Sequence, residues 1–507
     1  MYHCILFYGN DTKQMSKYAG AFRIASELEK NGYNVQCIDI TAFNTPNRKE
    51  TLKELLKKFV TERTLWVGFS TTFLYRLFGL PATNTQYAYA TLIKNKPDVD
   101  LEFRNFLDYI RSLCPTVKFI TGGHRDFCLE NYGFKVFIDH VDQEIVEFTN
   151  WCAGKKGRIN LDFFSNMIKG KEFKEFSTST IDYQHKHFIE PFDSLPIEVS
   201  RGCIFRCKFC SFPLNGKTKG DWVKHFDVFR DELVRNYEQF GVTNYMFADD
   251  TYNDSADKVK ALYDQVFSKL PFKINFTAYM RLDLMMRFPE TVGYLKESGI
   301  KSAMFGIETI NPRSAKAIGK GVNPMEQMDF VRQIKNNEFK DVIVGSGFIL
   351  GLPYDTMESC LELEAFLGSE KNPLDLWDPA TLTLRSQDLD EKLNPRSEFD
   401  LEYQKYGYEV YPTGADEETH FVKVKWRNTL MGTTYDACEV ITQRILSKAH
   451  MLDNWKFGGF GYAWVHSLGV PSDDIINMGR LEVRKNYDLT KLLEEKRERY
   501  IQFLRKL

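Results

Sequence analysis

Two runs of alternating strand and helix patterns, separated by a stretch without period, constrain this chain more than any other feature. In the first run, apolar strand-like segments fall at Ile5–Tyr8, Tyr33–Ile40, Thr64–Thr71, Val117–Thr121 and Phe134–Ile138, and Met15–Asn31 carries apolar residues at helix period. Strands alternating with helices predict a parallel sheet covered on both faces, a doubly wound α/β unit. The second run begins at Pro196. Ile197–Ser200, Asn244–Ala248, Ile274–Tyr279, Ala303–Ile307 and Val342–Leu350 read as strands, each followed by a helical pattern, and Leu382–Leu384 reads as a sixth. Five or six such units predict a full or partial βα barrel, with its chemistry at the C-terminal ends of the strands.

Composition narrows the class. Of 507 residues, 43% are apolar, and 67 basic side chains face 69 acidic ones for a formal charge of −2. That excludes a disordered chain and lacks the positive excess of a nucleic-acid coat. No run reaches the roughly 18 apolar residues of a membrane span. Met1–Asn10 has no basic flank of a signal peptide, so the ten cysteines read as reduced thiols of a cytoplasmic protein. The expected layout is an α/β domain over 1–155, a linker over 156–194, a barrel over 195–397 and a smaller, mostly helical or mixed region over 398–507 that shapes a substrate pocket. The helix from Leu489 is expected to be a solvated packing element, and Tyr408, Trp426, Trp455 and Trp464 to form core.

The sharpest local signal is Cys203-Ile204-Phe205-Arg206-Cys207-Lys208-Phe209-Cys210, directly after the first barrel strand. Three thiolates at this spacing can wrap one face of a cubic iron–sulfur cluster, which ordinarily takes four. The nearest other cysteines, Cys152 and Cys360, are remote in sequence. One iron would stay open, as catalytic metals require. A zinc knuckle is the rival, and would want a fourth ligand nearer than His225.

This triplet resembles the cluster motif of the radical S-adenosylmethionine (radical SAM) superfamily, and the similarity runs on along the barrel. Phe247-Ala248-Asp249-Asp250-Thr251 looks like the aspartate pair of the subgroup that carries an N-terminal cobalamin-type domain. Arg281-Leu282-Asp283, Phe305-Gly306-Ile307-Glu308-Thr309 with Lys320-Gly321, and Gly347-Phe348-Ile349-Leu350-Gly351-Leu352-Pro353 resemble the motifs of the next three strands. The resemblance covers about 390 residues. It implies a Rossmann-like, cobalamin-binding-type domain followed by a partial, TIM-type radical SAM barrel.

In that superfamily, the open iron of a 4Fe–4S cluster chelates S-adenosylmethionine (SAM), whose reductive cleavage gives a 5′-deoxyadenosyl radical. Carried over, Cys203, Cys207 and Cys210 bind the cluster, Phe209 packs by the adenine, and Glu308 accepts from the ribose hydroxyls. Arg281 or Lys320 holds the methionine carboxylate, and Asp249 and Asp250 stand where other branches bind the methionine amine. Ser70, Thr71, Gly122 and Gly123 match positions that receive the cobalamin tail. Lys13 stands where some cobalamin domains place the histidine that ligates cobalt, so a tail-displaced cobalamin without that ligand is expected.

The function expected is cobalamin-dependent methylation of an unactivated carbon. The alternative is a radical SAM enzyme with a degenerate or non-methylating N-terminal domain that catalyses cyclisation, rearrangement or epimerisation. A non-catalytic iron–sulfur or nucleic-acid-binding protein is the remote one. Expected partners are a small-molecule or peptide substrate and an electron donor such as flavodoxin or ferredoxin, with no membrane and no nucleic acid.

Overall fold

The computed structural model describes residues 1–9, 14–70, 91–92, 101–123, 133–155, 167–170, 176–210, 212, 214–384, 397–415 and 421–507. They form two compact units. The first comprises Met1–Ile189, Gly414–Lys423 and Leu493–Leu507; the second comprises Glu190–Thr413 and Val424–Leu492.

The first unit is built on β1 (Cys4–Tyr8), β2 (Val35–Asp39), β3 (Trp66–Ser70), the short β4 (Thr91–Leu92), β5 (Lys118–Gly123), β6 (Lys135–Ile138) and β7 (Met167–Lys169). Its main sheet is parallel in the order β2-β1-β3-β5-β6-β7. The apolar runs are continuous because both faces are covered. Ile5, Phe7, Val67 and Phe69 pack with Leu52, Leu56, Phe59, Phe103, Phe106 and Ile110 of the helices Pro46–Phe59 and Leu101–Leu113. On the other face Tyr8 meets Phe22 of the helix Ala19–Lys30, and Trp66 Nε1 donates to Thr149 of the helix Asp142–Cys152. The chain's last helix, Leu489–Lys506, adds Tyr500, Ile501 and Leu504 to the first of these cores and pairs Glu494 and Glu498 with Arg48. The expected packing role therefore involves a buried apolar stripe as well as a solvated one. Within the stretch read as a linker, Met167–Lys169 adds a strand beside β6.

The second unit holds β8 (Ser194–Ile197), β9 (Asn244–Phe247), β10 (Asn275–Met280), β11 (Ile300–Glu308), β12 (Ile343–Leu350) and β13 (Leu376–Thr381). These six strands are parallel, in the order β13-β12-β11-β10-β9-β8, as a partial barrel requires. Two strands differ from the sequence reading. The first runs Ser194–Ile197 instead of Ile197–Ser200, because the amides of Val199 and Ser200 bond to the Asp249 carboxylate and leave the ladder. The sixth is Leu376–Thr381, earlier than Leu382–Leu384; it tolerates Pro379 because β13 is an edge strand. Gly458 and Gly459 press onto this sheet near its N-terminal end. Gly459 N donates to Ser302 Oγ at 2.8 Å, and a Cβ on Gly458 or Gly459 would come within 2.7 Å of Leu376 or 2.8 Å of Met304. Tyr408, Trp426 and Trp455 are buried, and Trp464 is half-buried against Phe457.

Candidate active site

The cysteine triplet lies in the loop beyond β8, and that loop is folded by its own backbone. Gly202 takes φ +72°, a region that penalises a Cβ, and the Cβ would also stand 2.5 Å from Leu214 Cβ and 2.7 Å from Leu214 O. This close approach lets Cys203 N donate to Leu214 O at 3.3 Å and Gly216 N return to Cys203 O at 2.7 Å. Cys210 N closes a turn onto Cys207 O at 3.0 Å. All three thiols stay half-exposed, with Phe209 half-buried between the last two.

Each sulfur meets a polar side chain, and Cys203 Sγ also accepts from Phe205 N at 3.5 Å. Thr251 Oγ1 lies 3.1 Å from Cys203 Sγ, Arg281 Nη1 donates to Cys207 Sγ at 3.3 Å, and Asn215 Nδ2 donates to Cys210 Sγ at 3.0 Å. Donors favour the thiolate, the form that ligates iron. Burial raises the pKa of Cys210, and the Asn215 hydrogen bond opposes it. Among the described residues no three Cys, His, Asp or Glu side chains are gathered as a single ion would need. Three thiolates on one loop fit a cluster that leaves one iron open, whereas a structural zinc takes four ligands.

Behind the loop stand the two aspartates. Asp249 accepts from Val199 N at 3.0 Å, Ser200 N at 2.7 Å and Ser200 Oγ at 2.6 Å; Asp250 accepts from Gly202 N at 3.0 Å. Burial and the neighbouring Asp249 push Asp250 up to about 6. Both carboxylates are turned to the loop backbone.

Arg281 is fixed on every side. Asn253 accepts from its amide at 2.8 Å and donates to its carbonyl at 2.9 Å. Its guanidinium bonds Asp283 through Nε and Nη2 and lies 3.9 Å over the Phe205 ring. One strand on, Glu308 ends β11 with φ +73°, and Lys320 Nζ donates to Gly306 O and stands 3.8 Å from Glu308 Oε1. Burial raises the Glu308 pKa, while Lys320 and Arg281 oppose it.

The structure therefore gathers Cys203, Cys207, Cys210, Asp249, Asp250, Arg281, Glu308 and Lys320 around the C-terminal ends of β8–β11. Ser70 and Gly122 are register partners at the C-terminal edge of the first unit's sheet, with Gly123 beside them. Thr71 and Lys13 lie outside the described residues. Sequence reasoning did not assign roles to Asn215, Thr251 or Asn253. The run Asp249-Asp250-Thr251-Tyr252-Asn253-Asp254, dense in hydrogen-bonding side chains after an apolar strand, was the available signal.

Residues 197–367 match the family model described as "Radical SAM superfamily". Over 240 residues the chain is 35% identical to an uncharacterized methyltransferase, PH0819, of Pyrococcus horikoshii, which covers 44% of this chain and 49% of that protein. It is 27% identical over 182 residues to the hopanoid C-2 methylase of Rhodopseudomonas palustris, covering 35% of this chain and 34% of the methylase. The chain thus spans about half or less of these relatives' length. Among solved structures, the radical SAM methyltransferase TsrM of Kitasatospora setae, determined with cobalamin and a [4Fe-4S] cluster bound, aligns over 100% of both chains with a TM-score of 0.60 at 15% identity, a likeness of fold. Residues 197–367 thus match a radical SAM domain, preceded in sequence by a doubly wound α/β unit.

Proposed function

We propose that this protein is a cobalamin-dependent radical SAM methyltransferase acting on an unactivated carbon. One observation carries the reading: three half-exposed cysteines on one folded loop, each with a polar side chain at its sulfur, at the strand ends that also present Glu308. Cys203, Cys207 and Cys210 hold a 4Fe–4S cluster. When bound, that cluster supplies the electron that cleaves SAM, and cobalamin supplies the methyl group to be transferred.

The chain's own residues position and shield. Asp249 and Asp250 hold the cysteine loop by its backbone. Arg281 neutralises part of the thiolate charge at Cys207. Glu308 accepts from the ribose hydroxyls of SAM, with Lys320 keeping its carboxylate charged, and Phe209 packs by the adenine. In the first unit, Ser70, Thr71, Gly122 and Gly123 receive the cobalamin tail. Two orphaned polar atoms support a ligand at that edge. Ser16 Oγ and Asn44 Oδ1, in the loops after β1 and β2, are buried with no hydrogen-bond partner among the described residues. A reductant of the flavodoxin or ferredoxin class supplies electrons to the enzyme. No helix among the described residues is long and apolar enough to cross a membrane.

The test is the ultraviolet–visible spectrum of anaerobically purified protein after incubation with cobalamin and gel filtration. Retained iron–sulfur and corrin absorption is expected. Cluster absorption with no corrin would remove cobalamin from the assignment and favour the cyclisation, rearrangement or epimerisation class.

A further inference from the structure

Tyr279, Met304, Gly345 and Leu376 are register partners across β10–β13, and two residues further along so are Gly306, Gly347 and Asp378. Residues two apart in a strand share a face, so both rows lie on one side of the sheet. The neighbours of opposite parity, Phe305, Ser346, Phe348 and Trp377, are buried. On the near face the first row is closed where Gly458 and Gly459 press on Leu376 and Met304. Beyond it the face opens: Tyr279 is 46% exposed, Gly306 and Gly347 are half-exposed, and Asp378 is exposed although in mid-strand. The floor of this opening is two glycines, and a Cβ on Gly347 would stand 3.9 Å from both Glu308 Oε2 and Asp378 O.

Arg480 is the third polar group here. Its Nε donates to Lys456 O at 2.8 Å, and its guanidinium lies 3.7 Å over Trp455. Among the described residues the Asp378 carboxylate, the Tyr279 hydroxyl and the terminal nitrogens of Arg480 make no hydrogen bond or ion pair. Nearby protein raises the Asp378 pKa by desolvation even though the side chain is open to solvent, and Arg480 opposes the rise. Burial and Arg484 bring Arg480 down to about 10, and Asp378 opposes that, so the two charges feel each other. An open carboxylate and a guanidinium of opposite charge, set beside a floor of two glycines at the strand ends, suit a ligand that carries both charges.

We infer that Asp378, Arg480 and Tyr279 bind the substrate of the proposed reaction, and that this substrate is a small zwitterion, its amine on Asp378 and its carboxylate on Arg480. The inference rests on the radical SAM methyltransferase reading, which places SAM at the neighbouring Glu308. Gly306 and Gly347 leave the space in which the two molecules meet.

The test is equilibrium dialysis of the cluster-loaded, SAM-bound protein against a pool of the twenty free amino acids, with the N-acetylated pool alongside. The wild type retains at least one free amino acid and not its acetyl derivative. Asp378→Asn and, separately, Tyr279→Phe weaken that retention, the first at least about tenfold, as loss of a charge-assisted contact implies. SAM affinity is unchanged in both. No retained amino acid, or retention indifferent to Asp378→Asn, in protein that still binds SAM overturns the inference alone. Loss of SAM binding by the wild type overturns the methyltransferase reading instead.

Discussion

Arg281 Nη1 donates to Cys207 Sγ across 3.3 Å while the rest of its guanidinium grips Asp283. A buried cation is thereby held against one thiol of the triplet. Cationic donors to a cluster thiolate stabilise the more negative, reduced state. Arg281→Gln is expected to lower the cluster's reduction potential by on the order of 60 mV, the one-electron equivalent of tenfold, with iron content unchanged. Potentiometric titration followed by electron paramagnetic resonance reads this. An unmoved potential would assign Arg281 to Asp283 alone.

The loop's shape hangs on Gly202. A methyl there meets Leu214 at 2.5 Å in a backbone region that already disfavours it. Gly202→Ala is expected to reduce bound iron to well under half of wild type, while far-ultraviolet circular dichroism stays native. Full iron content in the variant would show that the loop reshapes without loss.

Gly306→Ala places a Cβ 2.5 Å from Glu308 Oε1 and 3.2 Å from Lys320 Nζ. Displacing that carboxylate should weaken SAM binding roughly ten- to a hundredfold, as Glu308→Ala should, since each removes an acceptor worth on the order of 1.5–3 kcal/mol. Both variants should keep the cluster. Calorimetric titration with SAM on cluster-loaded protein measures it, and unchanged affinity in both would make Glu308 structural.

In the first unit, His187 is buried, its Nδ1 accepting from Gln184 N at 3.1 Å, and its pKa falls to about 3 through burial, then Lys186 and Lys17. The folded state binds this proton less readily than the unfolded chain. Stability is therefore intact above about pH 6.5 and falls as pH drops toward 3, by up to about 1.4 kcal/mol per unit. Denaturant titrations from pH 7.5 to 4.5 should show that slope, and His187→Phe should flatten it. An equal slope in the variant would assign the acid sensitivity elsewhere.

The order of strands and the cysteine loop were legible because each parallel strand is a short apolar run that ends in glycine or polar residues. The missed pieces each have a physical cause. Asp378 and Pro379 interrupt the pattern of β13, and both are tolerated only because that strand is an edge with one open face. Met167–Lys169 is too short to show a period. Val199 and Ser200 have strand-like composition, yet Asp249, some fifty residues on, takes their amides. Thr251 was in view as part of a motif, but its approach to Cys203 is set by the packing of β9 beside β8. Arg480 has no local signal at all; only the fold brings it beside Asp378.

Everything proposed for this site depends on Cys203, Cys207 and Cys210 holding a cluster with one iron open to SAM. The most direct measurement is the electron paramagnetic resonance spectrum of the reduced, anaerobic protein, with and without SAM, beside an iron count. About four irons per chain are expected, with a reduced-cluster signal that changes when SAM is added, and loss of both in the Cys203→Ala, Cys207→Ala, Cys210→Ala triple variant. A triple variant that keeps its iron, or a wild-type signal blind to SAM, would contradict that assignment.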